Sequence, residues 1–114
     1  MSVVIYHNPR CSKSRETLAL LEEKGIQPEI VKYLDTPPTI DELKTLMAQL
    51  ALTDVRQMMR TKEAIYKELE LKTADEETLF KAMSENPKLI ERPIVVNNGQ
   101  AKHGRPPEQV LEIL

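Results

Sequence analysis

The first 34 residues change hydrophobic period twice, and that change constrains the fold more than any other feature. Val3-Val4-Ile5-Tyr6 is a β-branched and aromatic run closed by Asn8-Pro9, which reads as a short buried strand. From Ser12 to Lys24 the pattern becomes helical, with Thr17, Leu18, Leu20 and Leu21 on one side and Gly25 as the stop signal. Glu29 to Leu34 returns to strand chemistry, ending at Pro37-Pro38. A strand, a helix and a strand at these spacings predict a parallel, right-handed crossover.

The middle of the chain reads as helical. Thr39-Ile40-Asp41-Glu42 is a capping box, and Ile40, Leu43, Leu46, Met47 and Leu50 give the helix behind it an apolar face. Shorter helical stretches follow at Val55 to Met59 and Ala64 to Leu69. Thr73-Ala74-Asp75-Glu76 reads as a second capping box, opening a helix through Leu79, Phe80 and Met83. Beyond Asn86-Pro87, Ile94-Val95-Val96 and Gln100 to His103 flank Asn97-Asn98-Gly99, whose Asn-Gly pair tolerates the positive φ of a tight hairpin. Pro106-Pro107 then pre-sets a closing helix carrying Val110, Leu111 and Leu114. The expected order is β-α-β, a helical block at about 39–90, then β-β-α. That is a thioredoxin-like α/β fold with a mixed four-stranded sheet, in one domain over residues 1–114.

Composition narrows the function. The chain has 114 residues, enough for one core, with 16 Lys and Arg against 18 Asp and Glu and a formal charge of -2. No global basic field holds a nucleic acid, and an aromatic content of 4% leaves little surface for stacking bases. The uncharged N-terminal stretch ending at Pro9 is too short for a signal peptide or a membrane span. The expectation is a cytoplasmic protein that binds neither nucleic acid nor membrane and works as a monomer. Two isolated histidines and one cysteine offer no ligand spacing, so no metal is expected.

The one cysteine, Cys11, stands where the first strand turns into the first helix. Unpaired amides and the helix dipole favour a thiolate there, and Arg10, Lys13 and Arg15 add positive charge. A free cysteine often fills space as a small hydrophobe. The polar neighbours Asn8-Pro9-Arg10 and Ser12-Lys13-Ser14 argue instead for a reactive thiol. A dithiol pair would need cysteine where Ser14 stands, so any disulfide must be made with another molecule. A phosphatase-type loop would need arginine six positions after Cys11, where the sequence has Thr17. His7 either tunes the thiol or is a satisfied structural histidine ending a strand. Ser14 either supports the thiolate or occupies the first helical turn. His103 reads as a strand residue near the rim of the pocket.

Four blocks carry a resemblance along the whole chain: Tyr6-His7-Asn8-Pro9-Arg10-Cys11-Ser12-Lys13-Ser14-Arg15, Arg60 at the end of Val55-Arg56-Gln57-Met58-Met59, Glu91-Arg92-Pro93-Ile94-Val95-Val96, and Gly104-Arg105-Pro106. In these the chain resembles the glutaredoxin-linked arsenate reductases and their YfgD-type bacterial relatives. The resemblance implies that Cys11 is the nucleophile, that Arg60, Arg92 and Arg105 hold an oxyanion, and that Pro93 is the cis-proline facing the cysteine in thioredoxin-like folds. It further implies arsenate as substrate, glutathione as reductant with no bound cofactor, and glutaredoxin as the partner that resets Cys11. Each arginine also has a plain reading as a solvated surface charge. Two alternatives stay beside this one: a redox regulator of the Spx type that binds RNA polymerase, and a monothiol glutathione-linked oxidoreductase with another substrate.

Overall fold

The computed structural model describes residues 3–114; residues 1 and 2 of the expected domain lie outside it. The chain forms two compact units, one made of the segment ending at Thr36 together with Arg92–Leu114, the other of Pro37–Glu91.

In the first unit, β1 (Val4–Tyr6) runs beside β2 (Glu29–Val31) in parallel, with Ile5 opposite Ile30. On its other side β1 pairs antiparallel with β3 (Ile94–Asn97), Ile5 facing Val95, and β3 pairs antiparallel with β4 (Gln100–His103). The sheet order is β2-β1-β3-β4, the mixed thioredoxin-like sheet expected from the element order. Asn98 and Gly99 take φ of 55° and 78° and close the hairpin, the backbone that Asn-Gly supplies at low cost. Helix α1 (Ser12–Glu23) connects β1 to β2 and ends at Gly25, whose φ is 78°.

The core of this unit is aliphatic. Ile5, Leu21, Val95, Val110 and Ile113 are buried together, with Val3, Leu18, Leu20 and Ile26 packed against them. The fully buried positions on α1 are Ser14, Thr17 and Leu21, so two polar residues share the inner face of the helix with one leucine. Both polar residues lie in the half of the helix nearest Cys11.

Two expectations are corrected. The C-terminal segment Pro107–Ile113 is a 3-10 helix with Pro107, Val110 and Ile113 buried, while Leu111 and Leu114 are exposed. At three residues per turn, positions 107, 110 and 113 stack in one row, so the buried set follows the tighter period. The helix at Glu76–Glu85 is capped by Asp75 and not by Thr73, because the Asp75 carboxylate accepts the Thr78 N–H at 2.9 Å while Thr73 ends a preceding 3-10 turn, Leu71–Thr73.

In the second unit, α2 (Ile40–Gln49) packs on α4 (Glu76–Glu85), with the short α3 (Ala64–Glu68) and 3-10 turns between them in sequence. The first capping box forms as expected, with Thr39 Oγ1 taking the Glu42 N–H and Glu42 Oε1 taking the Thr39 N–H. Leu43 and Leu46 of α2 and Leu79, Phe80 and Met83 of α4 are buried. Arg56 fastens the middle of this unit: Nη2 donates to the carbonyls of Leu71, Lys72 and Ala74, and Nε donates to the Tyr66 hydroxyl. Among the described residues no helix is long and apolar enough to cross a membrane.

Candidate active site

The turn from β1 into α1 is built by hydrogen bonds to Asn8. Its side-chain Oδ1 accepts the Arg10 N–H at 3.0 Å and its carbonyl accepts the Cys11 N–H at 3.0 Å. Cys11 therefore takes the N-cap position, with φ -95° and ψ 124°, and its carbonyl accepts the first helical N–H, that of Arg15. Arg15 closes the loop from outside by donating from Nη1 to the Pro9 carbonyl at 2.9 Å. An N-cap side chain lies among amides that have no intrahelical acceptor, which suits an anion.

The thiol is nearly enclosed, with 9% of Cys11 exposed. Burial by itself pushes its pKa up. The Ser14 N–H, the Arg92 guanidinium, the Lys13 N–H and the Arg105 guanidinium together outweigh burial, and the net shift is downward from the ordinary thiol value. Hydrogen-bond donors and cations favour the charged form of an acid, and here they prevail over desolvation.

Two of the arginines expected at the site meet at this thiol. Arg105 Nη2 lies 4.0 Å from Cys11 Sγ, and Arg105 Nε donates to the Arg92 carbonyl at 2.8 Å. The second bond holds the guanidinium by one edge, with Nη2 toward the sulfur. It also extends the β3–β4 ladder. Beyond the Ile94–His103 pair, Gly104 N–H donates to the Pro93 carbonyl at 3.0 Å, and the Arg105 side chain supplies the next rung. The Arg92–Pro93 peptide bond is cis, as is Arg105–Pro106, which the sequence did not suggest.

Gly104 stands in the Gly104-Arg105-Pro106 block with no local signal for its role, and the packing around it requires a glycine. A Cβ there would overlap Thr17 Oγ1 and lie 2.8 Å from Pro93 Cγ. The segment just after β4 thus lies too close to the Thr17 and Pro93 side chains to carry one of its own at Gly104, one residue before Arg105.

Beneath the thiol lies a buried polar pair. Ser14 Oγ is 2.6 Å from His7 Nδ1 and accepts the Asn8 N–H at 3.0 Å. Burial, then the charges of Lys32 and Arg15, lower the His7 pKa. A neutral imidazole whose Nδ1 accepts the Ser14 hydroxyl proton accounts for both contacts of the hydroxyl. Lys32, beside His7, carried no signal in the sequence.

Arg60 belongs to the second unit. Its N–H donates to the Leu89 carbonyl at 2.7 Å, next to the Met59–Ile90 bridge, and its Nη1 pairs with Glu63 Oε1 at 2.7 Å. Cys11, His7, Ser14, Arg92, Pro93 and Arg105 all belong to the first unit. His103 ends β4 opposite Ile94. Among the described residues no three His, Cys, Asp or Glu side chains gather as metal ligands would.

The ArsC family profile matches residues 6–113. A Haemophilus influenzae protein named arsenate reductase is 61% identical over the full length of both chains. The Escherichia coli protein called uncharacterized protein YfgD is 59% identical, over 98% of this chain and 96% of its own. The solved structure of an arsenate reductase from Vibrio cholerae superposes with a TM-score of 0.98 at 68% identity, covering 100% of this chain and 98% of that one.

Proposed function

Because the chain belongs to the ArsC family, we propose that it reduces arsenate to arsenite through the Cys11 thiolate, with glutathione as reductant and glutaredoxin as the partner that resets the enzyme. The observation that carries this reading is the Arg105 guanidinium at 4.0 Å from a thiol whose pKa is already lowered. A nucleophile and a planar fork of donors converge there on one point, and arginine suits a tetrahedral oxyanion.

In this scheme Cys11 Sγ attacks arsenic(V) of arsenate, a sulfur–arsenic bond forms, and one arsenate oxygen leaves as water after protonation. Arg92 and Arg105 neutralise the oxyanion as the bond forms, and Arg60 serves as a third cation on it. A glutathione thiolate then attacks Cys11 Sγ. The sulfur–arsenic bond pair passes to arsenic, which becomes arsenic(III) and leaves as arsenite, and Cys11 is left in a mixed disulfide with glutathione. Two thiols lose two electrons and arsenic gains two. With no other cysteine in the chain, the mixed disulfide is opened by an external thiolate, that of glutaredoxin, which attacks the glutathione sulfur and releases Cys11.

His7 and Ser14 position the cysteine loop from below, and Pro93 walls the site. The protein works as a monomer, as one thioredoxin-like domain with the helical segment inserted, in the reducing cytoplasm that keeps a lone thiol free. The test is arsenate turnover by purified protein with glutathione and glutaredoxin. Cys11→Ser should abolish it, and Ala at Arg60, Arg92 or Arg105 should each lower kcat/KM for arsenate at least tenfold. Turnover retained by Cys11→Ser overturns the scheme.

A further inference from the structure

A second, smaller feature flanks the cysteine loop. A pocket of about 270 Å3 with charged side chains on its border is walled by the loop from His7 to Arg10 on one side and by Lys32, Leu34 and Asp35 on the other. It lies just below the range of about 300–1,000 Å3 found for whole small-molecule sites, a size for one unit of a larger ligand.

The backbone that carries the charges around it is held by local hydrogen bonds. Arg10 directly precedes Cys11 and is held in its turn by Asn8 Oδ1. Lys32 and Asp35 share a tight turn, in which the Lys32 carbonyl accepts the N–H groups of Asp35 and Thr36 at 3.0 Å. All three charged side chains are exposed, and among the described residues none of them enters an ion pair. Two cations and one carboxylate therefore border a pocket that begins one residue from the thiol.

An oxyanion alone fits this set poorly, because Asp35 repels it. A zwitterionic amino-acid end satisfies both signs, its carboxylate on Arg10 and Lys32 and its ammonium on Asp35. Glutathione carries such an end on its γ-glutamyl residue, joined to the cysteinyl residue whose sulfur must reach Cys11.

We propose that this pocket is the seat of the γ-glutamyl end of glutathione, with Arg10 and Lys32 binding its carboxylate and Asp35 its ammonium. The inference rests on the reading that Cys11 forms a mixed disulfide with glutathione. It adds that the chain itself selects this thiol over others of equal charge.

The test uses the reduced full chain and two disulfides of equal net charge at neutral pH: glutathione disulfide, and dithiodipropionate, which has carboxylates but no ammonium. In both reactions the Cys11 thiolate attacks one sulfur, the S–S bond breaks and the other half leaves as a thiolate. Intact-mass spectrometry follows mixed-disulfide formation. The ratio of the glutathione rate to the dithiodipropionate rate should fall about threefold to fivefold in Asp35→Asn. There the two reagents should move in opposite directions, glutathione disulfide slower and dithiodipropionate faster. In Arg10→Ala and Lys32→Ala the glutathione rate should fall by a similar factor, and by more than the dithiodipropionate rate. A ratio unmoved in all three variants overturns the subsite, because a general field acts on both reagents alike. A wild-type Cys11 that reacts with neither disulfide overturns the nucleophile assignment first and the subsite with it.

Discussion

Replacing Gly104 by Ala should loosen the site from a distance of one residue. The added Cβ would overlap Thr17 Oγ1 and stand 2.8 Å from Pro93 Cγ and 3.0 Å from Thr17 Cγ2. None of these atoms is the end of a flexible side chain. Thr17 is buried, its hydroxyl donates to the Lys13 carbonyl at 2.8 Å, and a proline ring cannot turn away. Overpacking of this kind costs about 1–3 kcal/mol, and the rigidity of the neighbours argues for the upper half of that range. Against it stands a gain of about 0.4–1 kcal/mol from the less flexible unfolded chain. The net loss should be about 1–2.6 kcal/mol, a fall in Tm of about 4–11 °C at about 4 °C per kcal/mol for a chain of this size. Urea unfolding measures it directly. Thr17→Ala opens the space that the new methyl needs, so the Gly104→Ala/Thr17→Ala double variant should lose at least about 1 kcal/mol less than the sum of the singles. Because Arg105 follows Gly104, the single variant should also raise the thiol pKa, read from iodoacetamide alkylation against pH. A Gly104→Ala protein within about 0.5 kcal/mol of wild type, with additive double-variant energies, would refute the close-approach argument.

The Cys11 alkylation profile should have its midpoint below the ordinary thiol value, and Arg92→Ala and Arg105→Ala should each move it upward, Arg92→Ala by more. The linked stability has a definite sign. A thiol whose pKa is lower folded than unfolded contributes stability that is complete above the unfolded pKa and lost as pH falls through the folded one. Stability curves of wild type and Cys11→Ser should therefore diverge with rising pH in that window, the wild type gaining; parallel curves would contradict the lowered thiol pKa. His7, also lowered, should contribute stability that is complete above its ordinary value of 6.5 and lost as pH falls below it, and its NMR titration should be displaced toward acid. Arg56→Ala should cost about 2–3 kcal/mol in urea unfolding because it frees three carbonyls from one charged donor. Arg56→Lys should recover less than half, since an ammonium lacks the planar fork.

What the sequence disclosed follows the range of the forces involved. The β-α-β opening, the Thr39 capping box and the Asn98-Gly99 hairpin are local, each written in a few neighbouring residues, and each forms, although β2 stops at Val31 instead of Leu34 because the chain turns on the Lys32 carbonyl. The errors are local competitions as well. The capping-box pattern starts at Thr73, but the Asp75 carboxylate, two residues on, also accepts a backbone N–H and is the one that caps the helix. The terminal segment offered apolar residues at both helical periods, and burial of Pro107, Val110 and Ile113 selects the tighter one.

The site behaves differently, because its geometry depends on contacts far apart in the chain. Cys11 could be placed from its neighbours alone, since an N-cap is a local structure. Arg105 is 94 residues away, and nothing local says that its Nε would be held by the Arg92 carbonyl or that its fork would face the sulfur. Resemblance named Arg92 and Arg105; only the paired strands explain them. Once Ile94 faces His103, the next rung falls on Pro93 and Gly104 and the one after on Arg92 and Arg105, so register alone brings both guanidinium-bearing residues to the end of the sheet where α1 begins. The same register accounts for the missing side chain at position 104, which lies where the ladder passes Thr17. A one-residue slip of β4 would move Arg105 off that rung and turn its side chain to the opposite face. The hairpin turn at Asn98-Gly99, remote from Cys11 in sequence and chemically silent, is thus a determinant of where the thiol finds its counter-charge.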